Sequence, residues 1–243
     1  MRLTRVFVDD DLAIGQRLTV EGSAGNHIVR VLRSRVGDEL TIFNGRGGEY
    51  GASIEEIRRD TVQVRVREHR NEERESRFDL TLAQGISRGE RMDWVVQKAT
   101  ELGVTRIVPV FTERSVVQLD ERQAAKKVQH WRGIAVSACE QCGRNVVPEI
   151  AVPVTLYGLL EKLPGKGISL LLSPTAEQRV VDIAGSPEGA TVLIGPEGGL
   201  ARVEHDAAAR AGFTSVRMGP RVLRTETAAV CALTLLQQKF GDL

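Results

Sequence analysis

The sequence predicts an α/β protein in two parts, a small β-barrel-like domain followed by a mostly parallel sheet with helices on both faces. Three observations predict it. Residues 1–70 read as short strands punctuated by turns. From Phe78 onward, strand patterns alternate with helical ones, the signature of a parallel sheet with helical crossovers. Between the two, Glu68 to Arg77 holds no apolar residue, as in a linker or an exposed edge. The resulting division is 1–70, a linker over 71–77, and 78–243.

Arg5 to Val8, Asp38 to Phe43, Glu49 to Ile54 and Thr61 to Val66 are the strand-like runs of the first part. In Thr61-Val62-Gln63-Val64-Arg65-Val66 the apolar residues alternate strictly, the pattern of a half-buried strand. Asn44-Gly45-Arg46-Gly47-Gly48 marks a turn between two strands. A short helix is predicted over Asn26 to Leu32. In the second part Asp79 to Ala83 is a strand. Met92, Val95, Val96, Ala99 and Leu102 share a helical face, with Gly103 at the C-cap position. Arg106 to Phe111 is the next strand. A long helix starts near Asp120, its stripe formed by Val128, Trp131, Ala135, Ala138 and Cys142. Ile168 to Leu172 and Thr191 to Ile194 are nearly continuous apolar runs, as in strands buried on both faces. Ser215 to Met218 is a last strand and Thr225 to Phe240 a closing helix.

With 243 residues, 42% hydrophobic and 27% charged, the chain has the composition of an ordinary globular protein. It shows no bilayer-length apolar run and no signal-peptide pattern, and its three cysteines form no even disulfide set. A cytoplasmic protein with no membrane partner is expected. A net charge of +1 does not announce a nucleic-acid partner. Residues 1–77 nevertheless carry 14 Arg and no Lys, and arginine's planar fork suits phosphates and base edges. An Arg-biased genome accounts for this equally well, since the whole chain has 27 Arg and 6 Lys.

Ligands of open α/β sheets bind beyond the carboxyl ends of the strands. Three loops fall at that edge: Ser173-Pro174-Thr175, Gly195 to Gly199, and Gly219 to Arg224. Glycine there lets backbone groups approach a ligand that a side chain would hold off. A P-loop is absent, as is a Gly-x-Gly-x-x-Gly opening a first strand–helix unit. Cys139 and Cys142 sit one helical turn apart with no second pair, so no metal site is expected. The residues by themselves indicate a ligand site of unspecified kind.

Gly195-Pro196-Glu197-Gly198-Gly199 after Val192-Leu193-Ile194, with Met218-Gly219-Pro220-Arg221-Val222-Leu223-Arg224-Thr225-Glu226-Thr227-Ala228 beyond it, resembles the SPOUT class of S-adenosylmethionine-dependent RNA methyltransferases. The closer resemblance is to the RsmE family, which methylates N3 of a uridine, the family's uracil-1498 site, in 16S ribosomal RNA. It runs the full length. His27 to Arg33 and Gly37-Asp38 resemble that family's PUA-like N-terminal domain. Gln97 to Val104 and Glu140-Gln141-Cys142-Gly143-Arg144 match segments in the middle.

The resemblance implies a trefoil-knotted C-terminal domain, a homodimer formed through it, and the small ribosomal subunit as partner. It implies that S-adenosylmethionine is held by Leu172, Ser173, Leu193, Ile194, Gly195, Pro196, Glu197, Gly198, Gly199, Met218, Gly219, Leu223, Arg224, Thr225, Thr227 and Ala228. Uracil N3 must lose a proton, and a cation near O4 or O2 favours the anion, a role for which Arg224 is the first choice. Glu197, Glu226 and Glu101 are candidate bases. Glu197 is assigned to the cofactor loop, Glu226 joins Arg224 as a catalytic candidate, and the base stays open. Gln141 and Arg144 are placed on one face at the end of the long helix, near substrate or across the dimer. Lys98 and Glu101 are read as a modest surface ion pair. Arg5, His27, Arg30, Arg33, Arg46, Arg88 and Arg144 are the candidate RNA contacts.

Overall fold

The computed structural model describes residues 4–59, 61–115, 119–162 and 167–243, the side chains of Ser23 and Val31 excepted. Contacts divide the chain into two compact units: residues 1–75 with Cys139–Val147, and Ser76–Ala138 with Pro148–Leu243.

The first unit holds five strands: β1 (Thr4–Phe7), β2 (Arg17–Val20), β3 (Glu39–Phe43), β4 (Glu49–Arg58) and β5 (Thr61–Arg70). Their order is β1-β3-β4-β5-β2, with β1 and β3 parallel and the other pairs antiparallel. Edge strands β1 and β2 both send valines, Val6 and Val20, into one apolar cluster with Ile42, Ile54, Val62 and Val64. Two edges can share a core only if the sheet curls, which gives the barrel-like form. The alternation read in Thr61 to Val66 is the buried face of β5, which continues four residues further. The short helix predicted near Asn26 is instead two turns of different kinds. α1 (Gly22–Asn26) passes into a π-helical turn over His27–Val31, where the Leu32 N–H donates to the His27 carbonyl at 3.0 Å. Residues 71–76 have no regular structure, and Glu72, Glu73, Arg74 and Glu75 all hydrogen-bond within this unit.

The second unit is a seven-stranded parallel sheet. Its strands are β6 (Asp79–Gly85), β7 (Arg106–Phe111), β8 (Glu149–Ile150), β9 (Val154–Thr155), β10 (Ile168–Leu172), β11 (Gly189–Ile194) and β12 (Thr214–Val216). The order is β12-β10-β11-β6-β7-β8, with β9 also on β7. Register explains the two-sided burial. Leu171, Leu193, Ala83 and Val108 form one row across the sheet, Leu170, Val192, Leu82 and Ile107 the next. Successive residues of a strand face opposite ways, so the two rows feed two cores. The first row packs with Leu156 and Leu159 of α4 (Leu156–Glu161) and Ala208 of α5 (Arg202–Arg210).

α2 (Glu90–Glu101) and α6 (Thr225–Phe240) pack together. Phe78 and Phe240 stack at 5.5 Å, and Gln237 Nε2 donates to the Leu102 carbonyl at 2.9 Å. α3 (Glu121–Cys142) is joined to α2 by Trp131 Nε1, which donates to Asp93 at 3.1 Å. Strand β2, the two-residue strands β8 and β9 and the short helices α4 and α5 were not anticipated from sequence. Each is too short, or too polar over most of its length, to carry a periodic signal. Among the described residues no helix is long and apolar enough to cross a membrane.

Candidate active site

Because β12, β10 and β11 are adjacent and parallel, the loops that follow them emerge side by side. Between these loops and the start of α6 lies a cleft of about 640 Å³. Its walls include Leu172, Ser173, Ile194, Gly195, Pro196, Glu197, Gly198, Gly199, Met218, Gly219, Leu223, Arg224, Thr225, Glu226 and Ala228. The structure thus gathers into one cavity residues more than fifty positions apart. Leu193 and Thr227 are not on its wall: Leu193 is fully buried beneath it, and Thr227 faces outward on α6.

Close backbone approach shapes the glycine loop. A Cβ on Gly195 would stand 2.9 Å from the Gly199 carbonyl carbon, and one on Gly85, at the end of β6, 2.5 Å from the Pro196 ring. Glu197 anchors the loop from outside, accepting from the Arg88 N–H at 3.1 Å and from Arg91 Nη1 at 2.8 Å. Partial burial pushes its carboxyl upward. The N–H groups of its own residue and of Arg88, with the Arg91 guanidinium, outweigh that and hold it below the usual carboxylate range. On the other side Arg114 Nη1 donates to the Gly198 carbonyl at 2.9 Å. Ser173 and Thr175 share a hydroxyl–hydroxyl bond of 3.0 Å at the end of β10.

The first turn of α6 carries the polar groups best placed for chemistry. Thr225 Oγ1 donates to the Gly195 carbonyl at 2.7 Å. Glu226 lines the cleft, and its Oε2 is buried with no hydrogen-bond partner among the described residues. A desolvated, unpartnered carboxylate oxygen is a strong acceptor for an N–H brought to it. Arg224 is exposed at the mouth and forms no ion pair with a described residue. Glu101, the third carboxylate considered from sequence, is paired with Lys98 at 2.8 Å on α2 and is not on the cleft wall.

Several wall residues escaped the sequence reading: Arg91, Arg114, His205 and Arg217. Arg91 and Arg114 follow β6 and β7. Looking past every parallel strand, rather than at glycine loops alone, would have found them.

The candidate RNA contacts divide. His27, Arg30 and Arg33 are exposed on and after the π-helical turn, Arg46 is exposed with its guanidinium on Asp11, and Arg88 is exposed beside the glycine loop. Arg5 and Arg144 must be corrected. Arg5 is 6% exposed, ion-paired with Glu49, bonded to Asn145 Oδ1 at 2.6 Å and stacked over Phe43. Arg144 is 4% exposed and paired with Glu75 at 2.6 Å. It lies beyond the end of α3, after Gly143 at φ +97°, so it shares no helical face with Gln141. Both arginines hold the first unit together. Cys139 is equally internal, its thiol pushed up to about 12 by burial. Among the described residues no group of three His, Cys, Asp or Glu could hold a metal ion.

Comparison with known proteins places this geometry. An RNA methyltransferase domain model matches residues 74–237, and an RNA methyltransferase PUA domain model matches residues 20–67. The ribosomal RNA small subunit methyltransferase E of Buchnera aphidicola from Schizaphis graminum is 35% identical, covering 100% of this chain and 98% of its own. The chain belongs to the ribosomal RNA small subunit methyltransferase E family. The Bacillus subtilis member is 32% identical over 90% of this chain and 88% of its own. Two solved structures match over the full length of both chains. A Legionella pneumophila protein in complex with the bound cofactor SAM is 42% identical, with a TM-score of 0.96. The methyltransferase E of Neisseria gonorrhoeae bound to S-adenosyl methionine is 34% identical, with a TM-score of 0.92. The fold is therefore the family's SPOUT α/β fold with an N-terminal PUA domain.

Proposed function

We propose that this chain is an S-adenosylmethionine-dependent methyltransferase acting on N3 of a uridine, the family's uracil-1498 site, in 16S ribosomal RNA. What carries the reading is the glycine-walled cleft, in a chain that matches two cofactor-bound relatives from end to end. The cleft's size is within the ~300–1,000 Å³ usual for small-molecule sites. Residues 195–199 and, Pro220 and Thr227 apart, 218–228 form the two walls that would hold the cofactor, together with Leu172 and Ser173.

S-adenosylmethionine supplies a methyl group already activated on its sulfonium. The protein is left to position the acceptor, exclude water and manage one proton. Glu226 Oε2 accepts the N3 proton of uracil, and Arg224 stabilises the charge that develops on a uracil oxygen. Arg30, Arg33, Arg46 and Arg88 supply exposed cations for RNA, with the exposed His27 beside Arg30. The trefoil knot belongs to the same reading, supported by the return of α6 to β6 and the Gly195 loop after the outer strand β12 has been laid down. So does a homodimer through the second unit, which the half-exposed Val230, Cys231 and Leu235 of α6 and the exposed Val181 and Val222 support.

The test is direct. Purified protein should bind S-adenosylmethionine in calorimetry, and nucleoside analysis of treated small subunits should reveal 3-methyluridine. No binding by folded protein would refute the enzyme reading, and a 2′-O-methyl nucleoside would refute the N3 assignment. Activity on small subunits set against naked rRNA tells which is the substrate.

A further inference from the structure

We propose that Gln84 is a positioning residue for methyl transfer, acting through the Thr225 hydroxyl to set the first turn of α6 against the Gly195–Gly199 loop. The inference rests on the reading of the cleft as a methyltransferase site.

Gln84 lies next to the end of β6 and is fully buried. Its register neighbours are Ile194 on β11 and Pro109 on β7, both apolar. An amide taken out of water must instead find hydrogen bonds. Gln84 Nε2 donates to Thr225 Oγ1 at 2.9 Å and to the Gly85 carbonyl at 3.0 Å, while Oε1 is left with no partner among the described residues. A buried acceptor is thus tolerated unpaired while the donor is used.

The use of that donor has a direction. The Thr225 hydroxyl has one proton, and it goes to the Gly195 carbonyl at 2.7 Å. By occupying a lone pair of the same oxygen, the Gln84 N–H fixes where that proton points. The relay therefore ties β6, the glycine loop and α6 at one buried point. Thr225 stands between Arg224 and Glu226, so whatever sets the threonine sets the two residues assigned to acceptor chemistry. Gly85 reinforces the junction, since its missing side chain lets Pro196 close against the end of β6.

The test uses Gln84→Met, similar in length but unable to donate, together with Thr225→Val and Thr225→Ser. Melting temperature, S-adenosylmethionine affinity by calorimetry and kcat on small subunits are measured for each. Gln84→Met should bind cofactor within about threefold of wild type yet lose about tenfold or more in kcat, as expected when only transition-state geometry suffers. Thr225→Val, which also removes the bond to the Gly195 carbonyl of the cofactor loop, should lose kcat to at least the same degree, and the double variant should be no slower than the slower single one. Thr225→Ser, which keeps the hydroxyl, should retain most of the wild-type rate. Additive losses, an unchanged kcat, or, in Gln84→Met, a fall in cofactor affinity parallel to kcat would overturn the proposal. Should Gln84→Met not fold, Gln84→Leu, which likewise cannot donate, is measured in its place and read by the same outcomes. Failure of the wild type to bind cofactor would overturn the functional reading and this proposal with it. Wild-type activity with an unaffected Gln84→Met variant would overturn this proposal alone.

Discussion

Arg224 and Thr225 are neighbours in the chain with opposite environments, one exposed at the cleft mouth and the other buried in its wall. Arg224→Ala should therefore lower kcat far more than cofactor affinity, by about 10²-fold if it stabilises developing charge. Equal losses of both would make it a cofactor ligand. Glu226→Gln keeps the shape of the cleft wall but cannot take a proton, so it should reduce kcat with KM for cofactor nearly unchanged. Glu197 behaves differently. Its folded-state pKa is depressed, so its contribution is present above the unfolded value of about 4.3 and is lost as pH falls through the folded one. Urea unfolding should show Glu197→Gln less stable than wild type at pH 7, by under about 1 kcal/mol for a partly exposed pair. The difference should shrink as the pH is lowered toward 3. A constant difference would mean that the carboxylate charge is not what matters. At this scale the site was half legible. Glycines and the Arg-Thr-Glu-Thr run could be read from the chain, but exposure could not. Arg5 and Arg144 read as surface cations because sequence does not say which arginines meet Glu49 and Glu75.

Two glycines separate geometric necessity from tolerance at the scale of the element. Gly85 ends β6 where any Cβ would meet the Pro196 ring and backbone, neither of which can swing away like a flexible side chain. Gly85→Ala should cost about 1–3 kcal/mol in thermal or chemical unfolding and displace the cofactor loop, raising the Kd for S-adenosylmethionine. Gly133 sits exposed in the middle of α3 with open space around its Cα. Gly133→Ala should raise stability by about 0.5–1 kcal/mol, through helix propensity alone, and leave activity intact. A destabilised Gly133→Ala would mean that this helix face is covered by another chain. The long elements α2, α3 and α6 and the buried strands were legible because each repeats its period often enough to be seen. The π-helical turn was not, because an i+5 hydrogen bond leaves no distinct periodicity in five residues.

At the scale of the whole molecule, association is the property most open to measurement. α6 buries Ala228, Ala229, Ala232, Leu233 and Leu236 within its own unit and still leaves Val230, Cys231 and Leu235 partly exposed. Light scattering coupled to size exclusion should give twice the monomer mass of 26.6 kDa, and Leu235→Glu should shift it toward monomer. A monomeric wild type at micromolar concentration would refute the dimer. The amino-acid sequence by itself determined the order and kind of the long elements, the glycine loops and the family, because periodicity and short motifs are local properties of a chain. Only the tertiary structure decided that strands β12, β10 and β11 lie side by side, so that their loops form one cleft. It alone decided that Arg144 is internal and that Gln84, Thr225 and Gly195 meet. Strand order and burial depend on pairings between distant residues, and a linear pattern carries no record of which distant groups will satisfy one another.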